Sequence, residues 1–492
     1  MYVLLAFDTE DVYFPPEYRI DDIPGWLART LSEVGITGTF FVMGEKAEEL
    51  LRRGRRDVLE QMRPHAIASH QQGNRYPLLP QVVAGKGWDD GMAAVRQYED
   101  WVSERLVAAF GRPPVGFSRH NCYFAPQHVA VAGERGLPYM YLPLQIPGSS
   151  QPLWYANALT FPSAGPSTYN GFDRIYSRDD QFARHFAGLE AFVRQRLEAG
   201  DEWICVFGCH PVQVMAREWL EHHALASGRA RSPQELGWHY RVKPRHEEER
   251  AKANFRRLCV FLKEHPDLEV VGLDEAARLF GHQPGQIGRD QLVAYAQDLV
   301  REERICLHQT FSPAELLCAL AESLAAAGPG GDLPEEVPRR AALGPPSRPR
   351  QAPELETITR AELGAACQRL VEHVRARGEL AANVALARGE LGLGQLALLC
   401  GRAYLAEARY DRYERLAVPA APRYPQVAYT LDAFVREAIG DHWAMPLDFS
   451  CEALAEQARL QTWTVKPAWL SPPPGPVCGR PYAGRVRWGA AP

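Results

Sequence analysis

Three acidic residues follow the first apolar run of the chain, and their types allow metal binding or proton transfer. Asp8, Glu10 and Asp11 come directly after residues 3–7, whose apolar character and length predict a β-strand. Carboxylates held together at a strand end can bind a divalent ion or accept a proton from water. The same residues could instead form an exposed acidic turn or cap a helix, so they predict a site only together with further residues.

A histidine-containing segment supplies a second candidate group. Within residues 65–74, His70 and Asn74 are four positions apart, which would place their side chains on one face of a helix. Two histidines at this spacing are a familiar metal-binding arrangement, and an amide oxygen is a weaker ligand than an imidazole. Because a single histidine can also serve only as a structural hydrogen-bonding residue, both roles stay open.

Two further positions fit proton transfer and the orientation of a carboxylate. His210 closes the apolar run 203–209, a placement suited to donating a proton, although a buried histidine bonded to backbone is the alternative. Arg119 follows a predicted short strand and could hold a carboxylate with two parallel hydrogen bonds, or form an ordinary surface salt bridge. His120 and His128 lie near Arg119 in sequence and could enter the same cavity, but we expect them to be helix-cap or surface residues.

The elements that must position these residues alternate between strand and helix over the first 280 residues. Strand-length apolar runs, at 3–7, 38–43, 115–117, 203–208 and 268–271, are separated by segments with helical spacing. This order predicts parallel strands with helices outside, as a barrel or a doubly wound sheet. In such folds the reactive side chains usually lie at the carboxyl ends of the strands.

The sequence changes after about residue 284, where Leu, Ala, Arg and Glu recur at helical spacing. A pattern Ile-x-Arg-x-x-Leu at residue 287 returns at residue 358, which indicates a duplicated helical pair. The predicted organisation is a barrel over 1–283, a first helical repeat over 284–327, a Pro/Gly-rich linker over 328–356, and a second repeat with a C-terminal extension over 357–492.

The composition excludes several classes of protein. The 492 residues are 46% hydrophobic and 23% charged, as in a soluble globular chain. The net charge of −5 gives no reason to expect nucleic acid as a partner, and no apolar run approaches the roughly 18–20 residues of a membrane span. The ten cysteines include no Cys-x-x-Cys pair, which argues against zinc ribbons and thioredoxin-like centres. Since the first residues do not resemble a signal peptide, we expect a cytoplasmic protein.

Taken in order, these motifs resemble those of the polysaccharide deacetylase family, the NodB-homology fold of carbohydrate esterase family four, over about residues 1–280. The family's opening acidic pair is matched by Asp8 and Glu10 (or Asp11). Its Ala-Thr-Phe-Phe-Val strand is matched by residues 38–42, and its His-x-Ile-Gly-x-His-x-x-x-His motif by residues 65–74. An arginine motif and a histidine after an apolar strand follow, at residues 117–119 and at His210.

The resemblance implies a distorted (β/α) barrel of about seven strands, followed here by a mostly α-helical region. It also implies a divalent metal, with zinc expected and cobalt, nickel or manganese as alternatives, held by Glu10, His70 and Asn74. The implied reaction is hydrolysis of a non-peptide amide bond, above all deacetylation of an N-acetylated amino sugar or oligosaccharide. In it Asp8 is the base, Arg119 orients Asp8, and His210 is the acid.

The chain departs from the family pattern at two positions. Asn74 stands where the family has a histidine, which should weaken metal binding or shift its preference toward harder ions. Ser118 separates the aromatic residue from the arginine, so Arg119 reaches the site only if the strand carries a bulge. A barrel that has lost catalysis and binds carbohydrate is therefore the alternative function.

Aromatic residues and the helical repeats complete the predictions. Trp154, Tyr155 and Trp238 could form a stacking platform for a sugar ring, or belong to the core. The repeats are weakly similar to pseudomurein-binding repeats, with a helical cap on the barrel as the alternative. We expect a carbohydrate or small amide as the partner, neither nucleic acid nor membrane, and homo-oligomer contacts through the helical region.

Overall fold

The computed structural model describes residues 1–470, apart from 145–150, 163–171, 230, 328–331, 353–354, 412, 426, 428–430, 433 and 441. Parts of the predicted linker and of the C-terminal extension therefore lie outside the described residues.

A ten-stranded sheet forms the centre of the first part of the chain. Its strands are β1 (Tyr2–Thr9), β2 (Thr39–Val42), β3 (Ala66–Ser69), β4 (Phe117–Ser118), β5 (Tyr139–Leu142), β6 (Leu153–Tyr155), β7 (Ala158–Pro162), β8 (Trp203–Cys209), β9 (Glu269–Val271) and β16 (Lys466–Pro467). Their order is β16-β6-β7-β5-β4-β3-β2-β1-β8, with β9 also paired to β1.

Neighbouring strands run parallel except at one edge, where β6 pairs antiparallel with both β7 and β16. The predicted α/β class is confirmed. The sheet has ten strands where about seven were expected, and the additional ones include a hairpin strand (β6), a strand from the end of the described chain (β16) and β9, which pairs with β1 beside the main path. No pairing among the described strands joins β16 to β8, so the sheet curls without closing.

Helices cover the sheet. They are α1 (Asp22–Val34), α2 (Gly44–Arg52), α3 (Arg56–Met62), α4 (Leu79–Val83), α5 (Trp88–Phe110), α6 (Pro126–Glu134), α7 (Phe172–Ile175), α8 (Asp179–Glu198), α9 (Pro211–Met215), α10 (Leu220–Ala224), α11 (His246–Glu264) and α12 (Leu273–Phe280). Alternate residues of β1 enter two cores: Leu5 and Phe7 pack with the helices, whereas Leu4 and Ala6 pack on the opposite face. Burial on both faces explains why the strand reads as a continuous apolar run.

The helical region contains two segments with the same order of elements, strand, helix, helix and strand. The first is β10 (Gln286–Gly288), α13 (Arg289–Glu302), α14 (Pro313–Ala327) and β11 (Glu336–Pro338). The second is β12 (Thr357–Thr359), α15 (Arg360–Arg377), α16 (Leu393–Ala408) and β15 (Arg415–Ala417), with the hairpin β13 (Asn383–Leu386) and β14 (Gly389–Gly392) between its helices. In each segment the first and last strands pair antiparallel.

The described part of the Pro/Gly-rich segment 328–356 packs against the helical region. β11 pairs with β10, and Leu333, Val337 and Ala342 are buried in the core of the helical region. Proline and glycine here end short elements, while the apolar residues between them supply enough burial to fix the segment.

The end of the described chain returns to the barrel. A π-helical turn (Val435–Gly440), α17 (Glu452–Leu460) and a short 3₁₀ turn (Gln461–Thr464) lead into β16. Leu431, Leu454 and Val465 belong to the same hydrophobic core as the barrel helices. Among the described residues, no helix combines the length and apolar character needed to cross a bilayer.

Candidate metal and catalytic site

The polar residues singled out in the sequence follow neighbouring strands of the sheet. Thr9 pairs with Val42, and Val42 pairs with Ser69. Glu10 and His70 follow these strands directly, and His210 directly follows β8 on the other side of β1. Because parallel strands end at the same edge of a sheet, three segments that are distant in sequence meet there.

Glu10, His70 and His120 form a compact group of ligand-type atoms, and Asp8, Glu10 and His210 form a second one. Glu10 Oε1 lies 3.1 Å from His70 Nε2 and 3.4 Å from His120 Nε2. One ligand atom from each residue lies within 4.8 Å of the other two. His70 and His120 are fully buried and Glu10 is only 5% exposed, so an ion bound here would be held largely out of water.

The hydrogen bonds of His70 favour metal binding through Nε2. Ser118 Oγ donates to the Ser69 carbonyl at 3.0 Å and lies 2.6 Å from His70 Nδ1. Because the single Ser118 proton points to the carbonyl, the hydroxyl oxygen accepts from Nδ1–H. In the neutral ring Nε2 then carries the lone pair, and this atom faces Glu10. Ser118, which interrupts the family motif, thereby fixes the tautomer of His70.

His120 is a correction, because we expected a helix-cap or surface residue. Its Nε2 lies 3.1 Å from Oε1 of Glu221, in addition to its contact with Glu10. Burial alone would lower the pKa of His120, but the Glu221 and Glu10 carboxylates raise it to about 10. His128 is also buried, 2.8 Å from Glu99 Oε1. His120 comes two residues after β4, so its place near a strand end could have indicated a site residue. No such pattern in the sequence pointed to Glu221.

The loop after His70 is not helical, so the spacing argument for Asn74 does not hold. Gly44 N–H donates to the Gln71 carbonyl at 3.0 Å, and Asn74 N–H donates to Glu45 Oε2 at 2.7 Å. Gly73 has φ +122°, and a Cβ there would lie 2.5 Å from Glu45 Oε2. These contacts bend the loop along α2. His120 lies in the group with Glu10 and His70, and Asn74 as a ligand stays a prediction.

Asp11 turns away from the group, which favours Glu10 as the acidic ligand. Its carbonyl accepts from Lys46 Nζ at 2.8 Å, and its carboxylate accepts from Phe14 N–H at 3.4 Å. Burial raises the pKa of the Asp11 carboxyl to about 6, although Lys46 acts in the opposite direction.

Asp8 is oriented by Tyr141, a residue that the sequence did not single out. The Tyr141 hydroxyl donates to Asp8 Oδ1 at 3.2 Å. Tyr141 has φ 64° at a register shift in β5, so a bulge lies on the neighbouring strand. Arg119 donates to the Tyr141 carbonyl at 3.0 Å, and its guanidinium lies over the Phe434 ring. Direct orientation of Asp8 by Arg119 stays a prediction.

His210 and Asp173 form a hydrogen-bonded dyad beside Asp8. His210 Nδ1 lies 2.9 Å from Asp173 Oδ2, while His210 N–H donates to Asp173 Oδ1 at 2.5 Å. The free Nε2 lies 3.9 Å from Asp8 Oδ2 and 3.8 Å from Glu10 Oε1. Burial alone would lower the pKa of His210, but the Asp173 and Glu10 carboxylates raise it to about 10. No pattern in the sequence pointed to Asp173.

Several buried polar atoms in this cluster fit a bound cation. Glu10 Oε2 is buried and makes no hydrogen bond to the described residues, whereas the buried atoms Glu221 Oε1 and His120 Nε2 form an ion-pair contact of 3.1 Å with each other. Buried atoms of this kind normally have partners. Carboxylate oxygens and imidazole nitrogens are ligands for zinc and other divalent ions. The donor set therefore fits the metal expected from the sequence, without deciding which metal.

The predicted aromatic platform does not form one surface. Tyr155 is fully buried and donates to the Ala458 carbonyl at 2.9 Å, which corrects its role to a core residue. Lys466 Nζ lies 5.7 Å from the centre of the Trp154 ring. Trp154 and Trp469 both line a small cavity. Trp238 stacks on His223, with ring centres 4.4 Å apart. Sugar stacking on Trp154 or Trp238 stays a prediction.

No protein-family model matches the chain, and no curated protein matches it. The solved structures to which it is similar include polysaccharide deacetylases and family 4 carbohydrate esterases. A Mycobacterium smegmatis protein assigned to the polysaccharide deacetylases is 14% identical, with a TM-score of 0.36, over 56% of this chain and 88% of that chain. A family 4 acetyl xylan esterase from Clostridium thermocellum, in complex with cobalt, is 13% identical over 42% and 88%, with a TM-score of 0.23.

An α-amylase has the same TM-score as the Mycobacterium smegmatis protein. The α-amylase AmyC of Thermotoga maritima is 9% identical, with a TM-score of 0.36, over 66% of this chain and 85% of that chain. Identities and scores at this level do not assign an activity. The similarity of the helical repeats to pseudomurein-binding repeats stays a prediction.

Proposed function

We propose that the protein is a metal-dependent hydrolase of a non-peptide amide bond, and that it deacetylates an N-acetylated amino sugar or oligosaccharide. The observation that carries the proposal is the meeting of Asp8, the Glu10–His70–His120 group and the His210–Asp173 dyad at one edge of the sheet. A base, a metal group and an acid are the three components that this hydrolysis needs.

Asp8 is the base in this proposal. Burial raises the pKa of its carboxyl above the ordinary value, against the opposing effect of His70 and His210. A raised pKa makes a carboxylate a better proton acceptor. Tyr141 holds one oxygen, and the other faces the histidines, at 3.7 Å from His70 Nε2 and 3.9 Å from His210 Nε2. Asp8 can therefore take a proton from a water molecule between these groups.

His210 is the acid. Asp173 holds Nδ1 and favours the protonated ring, which leaves the Nε2 proton for the nitrogen of the leaving amine. Trp219 packs on the His210 ring with centres 4.6 Å apart and limits its movement. The proton that Asp8 accepts and the proton that His210 gives up balance as water is added across the C–N bond.

Glu10, His70 and His120 would hold the divalent ion, with zinc as our first choice. When bound, such an ion lowers the pKa of water and polarises a carbonyl group. The alternative function, carbohydrate binding without catalysis, rests on Asn74 standing where the family has a histidine ligand. A replacement ligand at His120 favours the catalytic function instead.

The test combines metal content with acetate release. The full chain is purified, its metal measured by elemental analysis, and acetate measured after incubation with N-acetylglucosamine oligomers. His70→Ala and His120→Ala should each lose metal and activity, because each removes one of three ligands. Asp8→Asn should keep the metal and lose activity, because it removes only the base.

The matched control is His246→Ala, at an exposed histidine outside the metal group. It should match the unaltered protein in both measurements. Equal metal content in His120→Ala and the unaltered protein would show that the proposed site is wrong. Metal binding without acetate release would reject the deacetylase activity while keeping the metal site.

A further inference from the structure

A second polar cavity lies outside the candidate metal site. Its volume is about 410 Å³, and it is lined by residues from three segments of the chain: Ser177, Arg178, Asp179, Asp180, Arg217, Lys243, Glu247 and Arg250. The volume is that of a small-molecule site. None of these residues belongs to the metal group or to the His210–Asp173 dyad.

Positive charge exceeds negative charge in this cavity. Each of its acids lies beside an arginine: Asp179 is 3.2 Å from Arg250 Nε, Asp180 is 3.4 Å from Arg184, and Glu247 is 4.0 Å from Arg217. Two cations remain, since neither Arg178 nor Lys243 has an ion pair within 4.0 Å in the described part of the chain. An uncompensated pair of cations at a concave surface attracts an anion.

The floor of the cavity offers two buried hydrogen-bond donors. Ser177 is 1% exposed, and its hydroxyl has no hydrogen-bond partner among the described residues. Lys243 is 6% exposed, and its ammonium donates to the carbonyls of Val214 at 2.6 Å and Arg174 at 3.2 Å. An ammonium group has three protons, so one remains for a ligand. A buried hydroxyl without a hydrogen-bond partner is costly in free energy. This cost indicates that a bound group normally accepts a hydrogen bond from the Ser177 hydroxyl.

From this arrangement we propose that the cavity is a binding site for a phosphate group, either as free phosphate or as part of a phosphorylated sugar. The Ser177 hydroxyl and the Lys243 ammonium bind phosphate oxygens at the floor. Arg178 contributes at the rim, where a guanidinium can give two parallel hydrogen bonds. Ser177 also lies just before the first turn of α8, whose dipole favours an anion.

The cavity shares two segments with the candidate active site. Lys243 bonds the carbonyl of Arg174, which follows Asp173, and the carbonyl of Val214, which lies in the helix after His210. A phosphorylated sugar bound here would therefore lie against the segments that carry the dyad. The phosphate site does not depend on the proposed deacetylase activity, because none of its residues takes part in that reaction.

The experiment is isothermal titration calorimetry on the full chain with inorganic phosphate, acetate and glucosamine 6-phosphate. The unaltered protein should bind phosphate and bind acetate much more weakly, because acetate has fewer acceptor oxygens. Ser177→Ala and Arg178→Ala should each weaken phosphate binding about tenfold, the usual loss for one hydrogen bond to a charged group. Thermal unfolding of each variant checks that it is folded.

The matched control is Arg194→Ala on the same helix, where the side chain is exposed and does not line the cavity. It should bind phosphate as the unaltered protein does. Tighter binding of glucosamine 6-phosphate than of phosphate would identify a sugar phosphate as the ligand, and equal binding would identify the free anion. The proposal is overturned if phosphate does not bind, if acetate binds equally well, or if folded Ser177→Ala and Arg178→Ala keep full affinity.

Discussion

At the scale of single residues, the carboxylates around His210 set its pKa. Asp173 binds Nδ1, and Asp8 and Glu10 face Nε2 at 3.9 and 3.8 Å. These negative charges outweigh burial and raise the pKa of His210 to about 10 from an ordinary 6.5. A histidine with this pKa is protonated at neutral pH, which suits the role of acid that we propose for His210.

Asp173→Asn should move the basic limb of the activity profile to lower pH. The protonated form of His210 is present below its pKa and is lost as the pH rises through it, so removing the Asp173 charge brings that loss to a lower pH. The measurement is kcat/KM for acetate release as a function of pH. Asp90→Asn, at an exposed aspartate on α5, is the control and should leave the profile unchanged.

An unchanged basic limb in Asp173→Asn would contradict the role of His210 as the acid. A loss of all activity at every pH would not be explained by the pKa argument, and metal content would then show whether the site itself had been lost.

At the scale of elements, a buried ion-pair network fixes α2 against the start of α1. Lys46 Nζ lies 2.6 Å from Asp21 Oδ1, and Arg53 lies 2.6 Å from Asp21 Oδ2, with the Lys46 and Asp21 side chains 2% exposed. Lys46 also donates to the Asp11 carbonyl, at the turn after Glu10. The network therefore supports the segment that carries the proposed acidic ligand.

Asp21→Asn should lower the free energy of unfolding by about 3 kcal/mol, because it leaves the buried Lys46 charge without its partner. The control is Asp57→Asn, which breaks an ion pair with Arg55 where Asp57 is 60% exposed, and should cost at most about 1 kcal/mol. Denaturant unfolding of the full chain measures both. Equal effects of the two substitutions would contradict the importance of the buried network.

The same network predicts a loss of stability in acid. Burial would raise the pKa of Asp21, but Lys46 and Arg53 lower it below its ordinary value of 3.8. A carboxyl with a lowered pKa stabilises the fold above its unfolded-state pKa, and this contribution is lost as the pH falls. The difference in stability between the unaltered protein and Asp21→Asn should therefore shrink below about pH 4.

At the scale of the whole molecule, the end of the described chain is part of the barrel. β16 adds an edge strand to β6, and Gln127 donates to Gln457 at 2.6 Å. His442 lies 3.2 Å from Asn121 Oδ1 and packs on Tyr123, next to the His120 ring. The C-terminal segment thus covers the barrel close to the candidate site.

A truncated protein that ends at residue 283, the predicted end of the barrel, should therefore fail to unfold cooperatively. Without α17 and β16, core residues such as Tyr155 and Leu153 become exposed, which removes part of the hydrophobic stabilisation. Near-ultraviolet circular dichroism and thermal unfolding, compared with the full chain, test this. A cooperative transition at the same midpoint as in the full chain would contradict it.

The sequence alone was sufficient for the alternation of strands and helices and for the positions of Asp8, Glu10, His70 and His210 at strand ends, and it suggested a duplicated helical pair. These features depend on local periodicity and on chain order, which are visible in a single sequence. The proposal of Glu10 rather than Asp11, and of His120, as metal ligands depended on where the side chains point, and sequence spacing does not fix this for a loop. The helical spacing of His70 and Asn74 failed for that reason.

Only the tertiary structure showed that Asp173, Tyr141, Glu221 and the C-terminal segment lie at or near the candidate site. Asp173 lies 37 residues before His210, and Ala458 lies 303 residues after Tyr155. Contacts at such separations depend on the packing of the sheet and its helices, and no local pattern records them. Local patterns thus determined the elements and several candidate residues of this protein, whereas long-range packing decided which side chains meet and which charges are balanced.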